Sequence, residues 1–342
     1  MNSLVKEKFG RGHITLKQVE EAPCNHDEVK VKVAYCGICG TDLHIWHDTF
    51  PYNPPVVIGH EISGLVIEKG KNVSSKISAG DRVAVQGSTG YHCKECIYCK
   101  SGYYMFCSDR KGMGHGIDGG FTSTIVVRED MLYTAGKDAD LKHLALAEPI
   151  ACVYQATEEL VNVKSSDTVL VSGPGPIGLL CAELLNNKGC KVIVAGTNND
   201  QERFRILEQL GIRNIINVNR TNLNEYINDE LETGINIAFE CSGSSTSINS
   251  CLDILNPMGT IVQVGIGDEN INIDYNKIVM KQITIKGSLA HSMTSWEGTM
   301  KLIQNKTLNL NPIITDILPL EKWYSGFVKC ENKNGGKVLL TP

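Results

Sequence analysis

Four cysteines crowd one stretch of the chain, YHCKECIYCKSGYYMFC (91–107), at positions 93, 96, 99 and 107. Thiolates are soft ligands, and spacings this short let one loop wrap a single zinc ion at Zn–S distances of about 2.3 Å. Four protein thiolates leave no coordination position open, so Cys93, Cys96, Cys99 and Cys107 are expected to brace a lobe (91–108) with structural zinc and to perform no reaction. A second donor set differs in kind. The segment CGICGTDLHIWH (36–47) is followed, 21 residues after Cys39, by GHE (59–61). A thiolate from Cys36 or Cys39, the imidazole of His60 and the carboxylate of Glu61 form the mixed set of a catalytic zinc, which keeps one position free. Glu148, in ALAEPIAC, is a further carboxylate. The C-x-x-C at 36–39 would also serve as a redox pair, but its surroundings read as strand and not as the strand-to-helix turn of a thioredoxin-like motif.

A third constellation lies in TVLVSGPGPIGLLCAELLNNKG, where G-x-G-x-x-G falls at Gly173, Gly175 and Gly178, with Pro176 and Ile177 inside it. The motif leaves an apolar strand and enters an apolar helical run, the context a dinucleotide loop requires. Its glycines permit the tight turn, the approach of a pyrophosphate and close helix–sheet packing, while the helix N-terminus offers free N–H groups to phosphate. NAD-binding sheets carry an acid about 20 residues on. Here the strand KVIVAGTNND ends instead in Gly196 and Thr197. With no acid to repel a 2′-phosphate, and with Thr197, Asn198 and Arg203 as donors, the expected cofactor is NADP before NAD. Asp200 could instead neutralise Arg203 or take over the ribose contact.

Two kinds of element must position these groups. Through about residue 135 the chain alternates as strands: EVKVKVAYC (28–36), ISGLVIEKG (62–70), DRVAVQG (81–87) and FTSTIVVRED (121–130). From Asp167 short apolar strands (168–173, 191–196, 235–240, 259–265) alternate with helical segments, a βαβα pattern that implies a doubly wound parallel sheet. A helix is expected near SWEGTMKLIQN, then an irregular tail ending in KVLLTP. The predicted division is a β-rich domain over 1–150, a dinucleotide-binding domain over 151–288, and a segment, 289–342, that returns to the first.

A net charge of -5 and no long basic run argue against nucleic acid as partner. No apolar stretch is long enough to span a bilayer, and the N-terminus lacks the apolar region of a signal peptide. Thirteen cysteines without such a signal fit a reducing, cytoplasmic location.

Taken together, CGICGTDLH, GHE, the four-cysteine lobe and AEP resemble the zinc-dependent medium-chain dehydrogenases/reductases, nearest their polyol (sorbitol) and L-threonine dehydrogenase branch. The resemblance implies an α/β protein with a GroES-like catalytic domain and a Rossmann domain, acting as a homodimer or homotetramer. It selects Cys39 over Cys36 as zinc ligand, with His60, Glu61 and, as ligand or close neighbour, Glu148. Asp42 would accept the second ring N–H of His60, and Lys337 would sit near the carboxylates. Thr41 and His44 would carry the substrate proton towards solvent. Two zinc ions per chain and NAD(P) would then serve hydride transfer between a secondary alcohol, a sugar alcohol foremost, and the nicotinamide. L-Threonine 3-dehydrogenation is the alternative, and a non-catalytic zinc- and dinucleotide-binding protein the alternative of another class. Trp46, His47, Phe50 and the loop 112–120 lie in segments that could border the substrate pocket.

Overall fold

Strand Glu28–Gly37 buries Val29, Val31 and Val33 along one face and lies inside a seven-stranded sheet. In this computed structural model, which describes residues 1–231, 234–267 and 270–342, that strand pairs antiparallel with Glu61–Lys69, Thr124–Arg128 and Lys337–Thr341. Its end is where the site is assembled. Cys36 faces Leu340 of the last strand, and Gly37 faces both Leu339 and Glu61. The chain's C-terminus therefore closes on the segment that carries Cys39. Alternation of apolar residues fixes this register, because a slip of one residue would turn Val31 and Val33 to solvent.

The second sheet holds six parallel strands in the spatial order Asn214–Asn217, Lys191–Gly196, Thr168–Ser172, Ile235–Glu240, Leu255–Gln263, Thr284–Gly287. Counted along the chain this is 3-2-1-4-5-6, the doubly wound order. Val169 and Val171 enter one apolar core and Leu170 the other, so helices cover both faces of the sheet. The order reverses between Thr168–Ser172 and Ile235–Glu240, and a ligand crevice is expected at the carboxyl ends there.

Two local expectations need correction. GTDLHIWH is not strand but a helix, Gly40–His47, with Cys39 at its N-cap. Its apolar residues are too few and too scattered for a helical stripe; Asp42 and Ile45 are what it buries. The tail is also not irregular, since Ile314–Pro319 forms a strand and Trp323–Glu331 a helix. Both depend on partners distant in sequence: the strand pairs in parallel with Lys337–Thr341, and Phe327 packs into the core beneath Cys36 and Ile38. Among the described residues no helix is long and apolar enough to cross a membrane.

Candidate active site

Cys39, His60 and Glu61 each present a ligand atom within 4.8 Å of the others. Helix Gly40–His47 holds the first, and the lead into strand Glu61–Lys69 holds the other two. Glu61 is fully buried, and its Oε1 accepts a 2.6 Å hydrogen bond from Lys337 Nζ, which also donates to the carbonyl of Ile38. Its Oε2 is buried with no hydrogen-bond partner among the described residues. A Cβ on Gly37 would come within 2.0 Å of that oxygen, so the carboxylate occupies space only glycine leaves. Burial raises the Glu61 pKa, with Lys337 opposing and Glu148 adding to the rise.

Burial alone would lower the His60 pKa, yet Cys39, Asp42 and Glu148 outweigh it and hold the ring well above its ordinary value. This is a buried cluster of anionic groups drawing in positive charge. An orphaned carboxylate oxygen, a thiol and an imidazole at these separations fit a divalent zinc with a position to spare. Asp42 does not accept the expected hydrogen bond from His60: its Oδ1 stands 4.0 Å from Nδ1, and neither atom has a hydrogen-bond partner among the described residues. Its Oδ2 instead accepts from the Cys39 N–H at 2.8 Å, fixing the turn that presents the thiol. Asp42 thus reaches His60 as a nearby charge.

Glu148 stands outside the 4.8 Å set. Its Oε1 lies 3.5 Å from His291 Nε2 and 3.7 Å from Cys152 Sγ. Trp296 Nε1–H donates to His291 Nδ1 at 2.7 Å, which leaves Nε2 to face Ser88 and Glu148. Burial would raise the Glu148 pKa, but His291, His60 and the Ser88 hydroxyl hold it at about 2. Ser88, Cys152, His291 and Trp296 carried no signal in the sequence, being common residues up to 208 positions apart that only folding makes neighbours. Cys36 is buried in the core beneath Gly59 and Gly120, and burial drives its thiol pKa well up, which removes it as a redox partner for Cys39.

Thr41 Oγ1 is 3.8 Å from Cys39 Sγ, and His44, one turn further along the helix, has its Nδ1 3.2 Å from Thr49 Oγ1. A cleft of about 650 Å³ is lined by Cys39, Leu43, His44, His47 and Thr49 together with Pro176 and Lys333. Trp46 is not in that wall; it packs edge-on against Tyr324 and Phe327.

The glycine loop forms as the motif requires. Gly173 has φ +97°, and a Cβ on Gly178 would lie 1.9 Å from the Gly173 carbonyl oxygen. A Cβ on Gly175 would meet open space, so that face of the loop is clear for a phosphate. Helix Pro176–Asn187 begins there, and a contiguous cleft of about 300 Å³ runs past Gly173, Gly175, Gly196 and Thr197. The residues fit a dinucleotide. Arg203 is not the free donor expected of it. It is buried, with Nη1 3.1 Å from Asp200 Oδ1 and Nε donating to the Gly335 carbonyl. Asp200 Oδ2 in turn takes the N–H and hydroxyl of Thr197 at 2.9 and 2.8 Å.

In the lobe, the four thiols also lie within 4.8 Å of one another. Backbone N–H groups of Cys93, Cys96 and Cys99 donate to the sulfurs of Cys107, Cys93 and Cys96. Hydrogen bonds from the Cys96 and Glu95 backbone pull the Cys93 thiol down to about 7, while burial and the neighbouring thiols push Cys99 up to about 12. Four thiolates repel unless a cation sits among them, which fits a closed zinc site.

Residues 25–137 match the family described as Alcohol dehydrogenase GroES-like domain, and residues 176–305 the one described as Zinc-binding dehydrogenase. A sorbitol dehydrogenase of Halalkalibacterium halodurans is 33% identical over 344 residues, with 100% of this chain and 99% of that protein covered. A D-arabitol-phosphate dehydrogenase of Enterococcus avium is 30% identical, with 99% and 97% covered. The crystal structure of a zinc-binding dehydrogenase from Sinorhizobium meliloti 1021 bound to NADP superimposes with a TM-score of 0.90 at 26% identity, over 100% of this chain and 99% of that one. The chain belongs to the zinc-containing medium-chain dehydrogenases, an α/β family that joins a GroES-like domain to a Rossmann domain.

Proposed function

We propose that this enzyme oxidises a secondary alcohol of a polyol to the ketone, reversibly, with NAD(P) as hydride acceptor. One observation carries the reading: Cys39 and Pro176 both line a single cleft, so the metal-ligand set and the start of the dinucleotide helix border the same space. Cys39, His60 and Glu61 would hold the catalytic zinc, with Glu148 beside them, and Cys93, Cys96, Cys99 and Cys107 the structural one. When bound, zinc supplies Lewis acidity to a substrate hydroxyl and the nicotinamide supplies the hydride acceptor.

The chain's own groups do the rest. The Thr41 hydroxyl, beside Cys39, would accept the substrate proton as it releases its own, and His44, which lines the same cleft as Cys39, would pass that proton towards solvent. Asp42 fixes the Cys39 turn, and Lys337 holds Oε1 of Glu61 so that Oε2 faces the ligand set. Gly173, Gly175, Pro176, Ile177 and Gly178 receive the pyrophosphate, and Gly196 and Thr197 border the adenosine end. Arg203 shapes that end through Asp200. In this reading residues 1–150 and 289–342 form the zinc-bearing half and 151–288 the cofactor half.

Self-association fits the exposed edge of the parallel sheet. Strand Thr284–Gly287 is solvent-exposed, and helix Tyr275–Lys281 buries none of its residues, leaving Tyr275 67%, Val279 57% and Met280 84% exposed. An open strand flanked by apolar side chains is a pairing surface, which supports a homodimer or a tetramer built from it. Thirteen unpaired thiols support a reducing, cytoplasmic setting.

The test is initial-rate oxidation of sugar alcohols, simple secondary alcohols and L-threonine, each with NAD⁺ and NADP⁺, alongside zinc analysis. Turnover of polyols with two zinc ions per chain supports the reading. One zinc and no turnover would leave a binding protein.

A further inference from the structure

A second cleft, of about 610 Å³, opens beside the first and shares Thr49 with it. It is lined by Phe50, Tyr52 and Asn53 and by Arg110, Lys111 and His115 of the segment that precedes Gly116. That segment abuts the metal-ligand segment, since a Cβ on Gly114 would lie 2.8 Å from the amide nitrogen of Gly59, the residue before His60. A ligand reacting at the Cys39 end would extend into this space, which is of the size that holds whole small-molecule ligands.

The charge in it is one-sided. Arg110 is half-buried, with Nε and Nη2 both donating to the Ser88 carbonyl, at 2.9 and 2.6 Å. That anchors the guanidinium; among the described residues Nη1 has no hydrogen-bond partner and no carboxylate stands within ion-pair distance of it. Glu148 acts on Arg110 only at longer range, its own close partners being His291 and Cys152. Lys111 adds a second cation, at the exposed rim. The single acid in the wall, Asp48, already accepts from the Tyr52 hydroxyl and faces Lys6. His115 is held neutral, burial lowering its pKa to about 3 with the charges of His60 and Arg110 adding to the effect. In a chain of net charge -5 this is a local positive pocket.

A partly desolvated arginine without a counter-ion is costly unless a ligand brings the anion, and its planar fork matches phosphate or carboxylate. We propose that the substrate is a polyol bearing an anionic group, a phosphate monoester or a carboxylate several bonds from the reacting carbinol, and that Arg110 receives this group with Lys111 at the rim. A neutral sugar alcohol would leave Arg110 unpaired. This deepens the polyol-dehydrogenase reading above and rests on it.

The test compares kcat/KM for a free pentitol or hexitol, its terminal phosphate ester and the matching sugar acid, in the native protein and in Arg110→Met and Arg110→Lys. Binding of inorganic phosphate to the native holoenzyme is measured in parallel by calorimetry. The expected result is a preference for one charged substrate over the neutral polyol of roughly 100-fold, on the scale of lost charge-assisted hydrogen bonds. That preference should fall by about 10- to 100-fold in Arg110→Met, carried in KM, with partial recovery in Arg110→Lys; phosphate should bind the native protein and not the methionine variant. Whichever charged substrate is preferred distinguishes phosphate from carboxylate. Equal or better turnover of the neutral polyol, with no phosphate binding, would overturn this inference and leave the dehydrogenase reading standing. Turnover of L-threonine alone, or of no alcohol, would overturn both.

Discussion

The Nζ of Lys337 lies 2.6 Å from Oε1 of Glu61, and both side chains are buried. The pair joins the chain's last strand to the strand that opens with the proposed zinc ligand. Burial lowers the Lys337 pKa, but Glu61 and Cys39 raise it above its ordinary value, while Lys337 opposes the rise that burial imposes on Glu61. Removing one partner strands the other. Lys337→Met is therefore expected to cost about 3–5 kcal/mol in denaturant unfolding and to lower zinc content at the mixed site. The double variant Lys337→Met, Glu61→Gln should recover much of the stability but not the metal. A double variant no more stable than the single one would show that the pair is not the source of the loss.

The two thiol sites should part company under mutation. Cys39→Ser is expected to retain one zinc per chain, keep its melting temperature within a few degrees and lose turnover. Cys93→Ser should also lose one zinc, but with a large drop in melting temperature, because a closed structural site contributes folding energy directly. Equal thermal losses in the two variants would contradict this division.

Glu148 makes stability depend on pH at the acid end. Its pKa is about 2 in the folded protein, against an ordinary 4.5. A depressed carboxyl contributes stability above the unfolded value, and that contribution is lost as pH falls through 4.5 towards 2. At 1.36 kcal/mol per pKa unit, it is on the order of 3 kcal/mol. Urea unfolding of the native protein and Glu148→Gln between pH 6 and about 3 should therefore converge as pH falls; parallel curves would exclude the effect.

At the adenosine end, Asp200 ties up the donors that a 2′-phosphate would need. Asp200→Ala removes an anion from the cleft and frees the Thr197 hydroxyl and the Arg203 guanidinium. The ratio of kcat/KM for NADP⁺ over NAD⁺ is expected to rise by about tenfold or more, at the cost of the local cap. A ratio that does not move would mean that neither group faces the 2′ position.

The metal lobe, the glycine loop and the GHE segment were legible because their chemistry is local. Ligand spacing in a loop of 17 residues, or glycines between a strand and a helix, constrains the chain within a few turns of itself. The parallel order of the second sheet was legible from the same rhythm of short apolar strands and helices. Helix Gly40–His47 was not, since it carries no apolar stripe and is set by the Cys39 cap and its packing in the GroES-like half.

What the sequence alone determined is the inventory: two donor sets, a dinucleotide turn and the family to which they belong. Tertiary structure decided which charge meets which. Arg203 could in sequence be a phosphate donor or a partner of Asp200; the fold pairs it with Asp200 and with a carbonyl 132 residues away. Glu148, expected as ligand or close neighbour, is turned towards His291, while Arg110, unremarked in its loop, faces a second cleft with no carboxylate within ion-pair distance among the described residues. The physical reason is that a side chain's electrostatic role depends on its desolvation and on neighbours brought by other strands. Spacing along the chain records neither.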